Sequence, residues 1–374
     1  MESSDIIIIG GGLAGLTAAI HLSAHNLKVI VVEKNGYPKH KVCGEYISNE
    51  VKPYLQSLKL NLDELQPTNI TRLNISTAAG NSISTTLPLG GFGISRYALD
   101  NFMSKKAIAN GCQILQENVD AVVFDQDAFK VTTTGGNELS SKIVLGAFGK
   151  RSNIDLKMHR GFISKKSPWL AVKAHYKGIF PDDVVALHNF KGGYCGVSKV
   201  EGGLINICYL ADYGTFKNYK NLEEYQEKVI AANPNLKEIF KTTTLVSEKP
   251  LTISQISFAQ KGAVDDHVLM IGDTAGLIHP LCGNGMAMAI HSAKIASELV
   301  LKYFSRELPS REILEERYAK EWKHNFRQRL QAGRWLGALL QQPKLSQMAL
   351  GILTLFPFLL PLIINKTHGK PITL

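Results

Sequence analysis

The sequence predicts an α/β fold: a domain built on a strand–helix–strand unit, an inserted antiparallel-sheet domain, and a helical C-terminal tail. Three observations predict it. Residues 5–33 read as strand, glycine turn, helix and second strand; residues 169–209 read as successive strands; residues 322–374 join basic residues to the longest apolar run. With 374 residues, 45% of them hydrophobic, the chain can bury a large core and carry more than one domain.

The first unit justifies itself residue by residue. Ile6 to Ile9 make a short buried strand, and Gly10, Gly12 and Gly15 fill G-x-G-x-x-G at the strand-to-helix turn. Gly10 permits the turn, Gly12 lets a pyrophosphate approach the backbone, and Gly15 lets helix and strand pack closely. The helix from Leu13 and Ala14 to about Ala24 aims its free N–H groups and positive dipole end at the phosphates. Lys28 to Val32 form the next strand, and Glu33, followed by Lys34, lies 18 residues past Gly15. Its carboxylate is placed to accept ribose hydroxyls and to repel a 2′-phosphate. The unit predicts a Rossmann-like dinucleotide site.

A turn at Asn35–Pro38 follows, then the segment Lys39–Ser48, a helical stretch from Asn49 to about Leu65 and alternating residues over 70–87. Ser95 opens a helix carrying Arg96 that ends near Gly111. Strands at 121–124, 129–133 and 141–146 lead into Ala147–Ser152. Strands at 169–176, 184–190, 194–199 and 203–209 mark a second domain, and helices near 222–232 and 236–240 follow it. A strand at 267–271 then ends in Gly272-Asp273, before a helix from about Gly285 to Phe304. The expected boundaries are 1–75, 95–165 and 260–305 for the nucleotide domain, 76–94 and 166–259 for the substrate domain, and 306–374 for the tail.

Gly272-Asp273 selects the dinucleotide. A carboxylate at the carboxyl end of a buried strand suits a hydroxyl of a polyol chain, which FAD has and NAD lacks. Pro280, Gly283, Asn284, Gly285 and Met286 open the long helix, whose N-terminus is suited to the pyrimidine end of a flavin. Gly10-x-Gly12-x-x-Gly15 with Glu33, Arg96 ahead of a helix, and Gly272-Asp273-x-Ala275-Gly276-x-x-x-Pro280-x-x-Gly283-x-Gly285 resemble the superfamily of single-FAD aromatic hydroxylases and geranylgeranyl reductases. The resemblance spans roughly residues 1–330. It implies FAD as cofactor, with Arg96 near the pyrophosphate or ribityl chain. It also implies that Lys41-Val42-Cys43-Gly44 approaches the flavin ring, and that Gly192–Val197 with Asn206 walls the substrate side. One departure stands out. The superfamily's Ala-Asp-Gly reads Ala147-Phe148-Gly149 here, and apolar Phe148 cannot accept the hydrogen bonds of an Asp. No second G-x-G-x-x-G exists, so NAD(P)H as reductant stays open.

Two chemistries follow from the resemblance. The first is a monooxygenase that hydroxylates a lipophilic phenolic or quinol-like substrate through a flavin C4a-hydroperoxide. The segment Cys43–Ser48 differs from the Cys-Gly-Gly of prenyl reductases, and this favours it. The second is reduction of polyprenyl double bonds, with Cys43, a Tyr or water supplying the proton. A non-catalytic flavin-binding protein is the reading of another class. No G-x-W-x-x-I-P segment supports a halogenase. Cys43 and His279 are the candidate catalytic residues, with His291 the weaker alternative to His279. No metal site is expected, since His21 and His25 have no further ligand beside them.

The net charge of +10 is concentrated in the tail. From Trp322 onward there are seven basic residues and no Asp or Glu, leaving 35 basic against 32 acidic elsewhere. That distribution argues against a nucleic-acid partner. The run Met348–Ile364 has 17 residues and contains Pro357 and Pro361, which disfavours a full span. A helix pair lying on an anionic membrane, or roofing an apolar cavity, fits better, and a buried core helix is the alternative. Five scattered cysteines and no secretory signal pattern suit a cytoplasmic protein peripheral to the inner membrane face. A lipophilic small molecule is the expected partner.

Overall fold

The computed structural model describes residues 2–246, 248–340 and 342–373. Strand β1 (Glu2–Ile9), helix α1 (Leu13–Ser23) and strand β2 (Val29–Val32) form the opening unit. Ile6 to Ile9 pair in parallel with Val29 to Val32 and are all buried, the pattern of a strand covered on both faces. Every residue of α1 is buried too, so the helix is enclosed by neighbours rather than lying on the surface. Gly10 has φ +104°, and a Cβ on Gly15 would meet the Gly10 carbonyl oxygen at 2.0 Å. The turn and the helix–strand approach therefore both demand glycine.

The chain continues through β3 (Tyr46–Ser48), α2 (Lys52–Ser57), β4 (Thr68–Ser76), β5 (Ser82–Gly93) and α3 (Arg96–Ala109). Ser95 caps α3 by accepting from the Ala98 N–H at 3.0 Å. Strands β6 (Gln113–Leu115), β7 (Val119–Asp125), β8 (Ala128–Thr133) and β9 (Glu138–Gly146) lead to short α4 (Asn153–Lys157), closed by a Ser152/Asp155 capping box. Next come β10 (Trp169–Gly178), β11 (Val184–Phe190), β12 (Gly193–Lys199) and β13 (Ile205–Asp212). Helices α5 (Tyr213–Phe216), α6 (Leu222–Lys228) and α7 (Pro234–Thr242) precede β14 (Thr243–Leu245) and β15 (Leu251–Ser254). Strands β16 (Val264–Asp265) and β17 (Val268–Met270) return to the opening unit. Helices α8 (Gly285–Phe304), α9 (Arg311–Leu340), α10 (Pro343–Leu355) and α11 (Leu359–Thr367) complete the described chain.

Two sheets organise these elements. The first runs β16-β17-β9-β1-β2-β6, with β7 and β8 appended to β9; β17, β9, β1, β2 and β6 are mutually parallel. Loops at the carboxyl ends of its parallel strands form the crevice where ligands bind in such sheets. The second runs β14-β10-β13-β12-β11-β4-β5-β3, with β15 on β10. It is antiparallel as expected, except that β11 pairs in parallel with β4, Val184 to His188 opposite Arg72 to Ser76.

The sheets divide the chain elsewhere than the expected split at residue 76. β3 and β4 belong to the second sheet, because their partners are β5 and β11 rather than β1. The alternation over 70–87 resolves into two strands of one hairpin, β4 and β5. The apolar run at 348–364 becomes α10 and α11, and the segments Lys344–Leu355 and Leu359–Thr367 are bent by 120° at the break that holds Pro357. Among the described residues no single helix is long and apolar enough to cross a membrane.

Candidate active site

A cavity of about 1260 Å³ lies between the first sheet's carboxyl end, the face of the second sheet and the last helices. Its nucleotide end is built on the glycine turn. Gly10, Gly12, Leu13 and Ala14 line it, and the N-terminus of α1 has no side-chain cap. Those N–H groups are thus free to bind an anion. The nearest groups to the missing Cβ of Gly12 are Arg96 Nη2 at 3.7 Å and Lys41 Nζ at 3.9 Å. Both cations pair with buried Asp100, Arg96 at 2.7 Å through two nitrogens and Lys41 at 3.0 Å. One carboxylate between two cations leaves net positive charge over an uncapped helix end. Although burial opposes it, the Asp100 carboxylate holds the Arg96 guanidinium firmly charged.

Glu33 ends β2 beside this turn. Its Oε2 accepts from the Gly11 N–H at 2.8 Å and Oε1 from Asn35 N and Nδ2, both at 3.0 Å. Tyr37 Oη donates to the Gly11 carbonyl at 2.6 Å, which fixes the turn against β2. Glu33 Oε2, with a single donor, keeps acceptor capacity, and Glu33 and Lys34 both line the cavity.

Beside the glycine turn Gly272 takes φ +62°, where a Cβ would meet Ala14 Cβ at 3.0 Å, and its N–H donates to Ser292 Oγ at 2.8 Å. Asp273 lines the cavity. Lys261 Nζ donates to the Asp273 and Lys150 carbonyls, each at 2.9 Å. Burial brings its ammonium down to about 8. The Gly149 N–H donates to Thr274 Oγ1 at 2.8 Å. These bonds tie the Ala147–Arg151 and Gly272–Gly276 segments together, with Phe148 in the cavity wall. Pro280, Gly283, Gly285 and Met286 line the cavity where α8 begins without a side-chain cap.

Cys43 stands in the cavity wall by the start of α8, half-buried, with its Sγ 3.5 Å from Met286 Sδ. Asn206 Nδ2 holds this segment by donating to the carbonyls of Cys43 at 3.2 Å and Gly44 at 2.9 Å. Two residues on is Glu45, fully buried and in the cavity wall. It accepts from His175 Nε2 at 2.6 Å, Lys173 Nζ at 3.0 Å and the Arg96 N–H at 2.9 Å. Burial alone would raise the Glu45 carboxyl, but His175 and Lys173 outweigh it and hold it below the usual carboxylate range. Exposed His40 lies edge-on to His175, ring centroids 5.4 Å apart.

Sequence reasoning missed Glu45, Lys173 and His175. The signal was there: Lys173 and His175 occupy alternate positions in the buried part of β10, so they share one face. A lysine on a buried face requires a carboxylate. Nothing local said which one, since Glu45 lies 128 and 130 residues away.

Beyond Cys43 the cavity becomes apolar. Leu73, Leu87, Val185 and Leu187 of the second sheet face Leu350, Leu353, Leu360 and Ile364 of α10 and α11 across it. The terminal helices therefore roof this arm.

Three expected site residues lie elsewhere. Gly15 sits beneath the turn against Gly10. Asn284 is fully buried behind the loop, donating to Glu50 Oε2 at 3.1 Å and accepting from Arg329 at 3.3 Å. His279 faces away from the large cavity into a small space lined by Trp169, Tyr194 and Leu281. Its Nδ1 has no hydrogen-bond partner, and burial lowers the ring to about 4. Neutral, and boxed by Trp169, Tyr194 and Phe258, it has no proton to give to that cavity at neutral pH. His291 is half-buried and likewise neutral, burial lowering it to about 4, with its ring edge-on to Phe326.

Comparison with known proteins agrees with this architecture. Residues 5–167 match the family described as lycopene cyclase protein. The chain is 24% identical to digeranylgeranylglycerophospholipid reductase 1 of Methanosphaera stadtmanae over 87% of this chain and 82% of that one. Among solved structures, a flavin-dependent brominase superposes with TM-score 0.81 at 18% identity, covering 98% of this chain and 93% of that one. A geranylgeranyl bacteriochlorophyll reductase-like protein of Thermoplasma acidophilum does so with TM-score 0.74 at 18% identity, covering 99% and 93%. The fold is the one these solved proteins share.

Proposed function

We propose that this chain is an FAD-dependent oxidoreductase that reduces carbon–carbon double bonds in the polyprenyl tail of a lipid. The observation that carries the reading is one continuous cavity, with a glycine turn, Glu33 and two cations at one end and an apolar arm at the other. The residues present fit FAD. The α1 N-terminus, Arg96 and Lys41 would hold the pyrophosphate, Glu33 the adenosine ribose and Asp273 the ribityl chain. When bound there, FAD supplies hydride chemistry. The similarity to a digeranylgeranylglycerophospholipid reductase, which covers most of both chains, supports this choice of reaction.

The chain's own residues supply the rest. The arm between the second sheet and α11 excludes water and aligns an extended apolar tail. Reduction of an alkene needs a proton as well as a hydride, and Cys43 Sγ–H, half-buried in the wall, is the donor at hand. Glu45, bonded to His175, which in turn lies edge-on to exposed His40, gives that wall a line of polar groups toward solvent along which the proton can be restored. Hydroxylation of a lipid phenol is the second reading, favoured by the segment Cys43–Ser48, which differs from the Cys-Gly-Gly of prenyl reductases.

Anaerobic mixing of the dithionite-reduced holoprotein with a geranylgeranyl-bearing lipid tests the choice. The expected product carries two added hydrogens per reduced bond by mass spectrometry. Turnover that requires O2 and adds an oxygen atom to a lipid phenol would replace the first reading with the second.

A further inference from the structure

The two faces of the α10–α11 pair differ in a way the cavity does not use. Leu350, Leu353, Leu360 and Ile364 point inward to the apolar arm. On the outside Met348, Leu355, Phe358 and Leu362 are 60%, 75%, 64% and 56% exposed. Met348 and Leu355, seven residues apart, share one helical face, and the 120° bend sets that face beside the Phe356–Phe358 corner. A soluble monomer seldom leaves so many large side chains in water together. Trp335, 80% exposed near the end of α9, adds an amphipathic ring, the residue type enriched at membrane interfaces.

The charge of the same region selects the occupant. Arg334, Lys344, Lys366 and Lys370 are exposed, and no Asp or Glu follows Glu321. An apolar face on a segment whose charged side chains are all cations complements an anionic surface. We propose that the α10–α11 bend is a docking surface for an anionic lipid bilayer, inserting its Leu355–Phe358 corner among the acyl chains with the lysines at the headgroups. Because the inner face of the same pair roofs the cavity, the docked protein meets lipid tails at the rim of its own apolar arm. That second statement rests on the function proposed above; the docking itself does not.

The test is cosedimentation of the FAD-loaded protein with large unilamellar vesicles, followed also by Trp335 fluorescence quenching with brominated lipid. Binding is expected to vesicles containing phosphatidylglycerol and not to phosphatidylcholine alone, and to weaken as NaCl is raised. The Leu355→Asp/Phe358→Asp variant should bind at least about tenfold more weakly, while keeping its flavin absorbance and melting temperature, since both side chains stand in water. Lys344→Glu/Lys366→Glu should lose the preference for phosphatidylglycerol. Failure of wild type to bind, equal binding by the Leu355→Asp/Phe358→Asp variant, or a face that instead pairs two copies of the chain by ultracentrifugation would overturn the proposal. Sedimentation needs no turnover, so a protein that binds vesicles yet reduces no prenyl lipid would refute the function alone.

Discussion

Glu45 shows how much one residue can hold. Its carboxylate takes three donors from two other elements, His175 and Lys173 on β10 and the first N–H of α3. A buried ion cluster gains little over an apolar one, but removing one partner leaves bare charge in a place water does not reach. Glu45→Gln keeps the shape and removes the charge, stranding a Lys173 ammonium whose side chain is almost wholly buried. We expect a loss of about 3–5 kcal/mol in a denaturant titration. Adding Lys173→Met should recover part of it, the coupling expected of residues in one network. If Glu45→Gln unfolds at the wild-type midpoint, the cluster does not bear on stability as described.

At the scale of elements, the terminal helices are fastened by a latch. Glu50 accepts from Arg329 of α9 at 3.1 Å, from Asn284 ahead of α8 at 3.1 Å and from the Gly369 N–H beyond α11 at 2.7 Å. The Glu50 carbonyl takes the Ile372 N–H at 2.7 Å. Arg329→Ala should therefore loosen α11 and the segment after it rather than the sheets. Amide exchange over 359–373 is expected to rise about tenfold or more with the β1 amides unchanged. Uniform acceleration across the protein would show that no separate latch exists. The elements themselves were legible: the glycine turn, β17 with Gly272-Asp273 and α8 lie where periodicity and punctuation put them. What joins them was not. Glu50 and Arg329 are 279 residues apart, and Thr68–Ser76 alternates like any strand, with no mark of its parallel partner β11. Asn284 sits inside a cofactor motif yet serves this latch, because the φ +61° turn at Gly283 leaves its side chain on the buried side.

Across the whole molecule, buried histidines set the response to acid. His21 on α1, His188 on β11, His279 and His291 on α8 are each lowered by burial to about 4. The unfolded chain protonates them near pH 6.5, while the folded chain holds them neutral until about pH 4. Stability is thus full above pH 6.5 and is lost as pH falls toward 4, by up to about 3 kcal/mol per histidine. Melting curves from pH 7 to 4.5 should show a steep decline before most carboxylates titrate. A flat profile over that interval would mean these rings are not neutral in the folded state.

The interleaving of the two sheets also governs the order in which the protein can be made. β9 is complete at Gly146, but the strand that covers its open edge, β17, begins at Val268. All of β10 to β15 emerges in between. At about 5–20 residues per second the ribosome leaves the β9 edge bare for roughly 6–24 s. For that time Leu145–Gly146 offers unpaired backbone groups at the end of a run of buried strand residues, the kind of edge that recruits neighbouring chains. The nascent protein is most exposed to aggregation at the strand that will later floor its own nucleotide crevice.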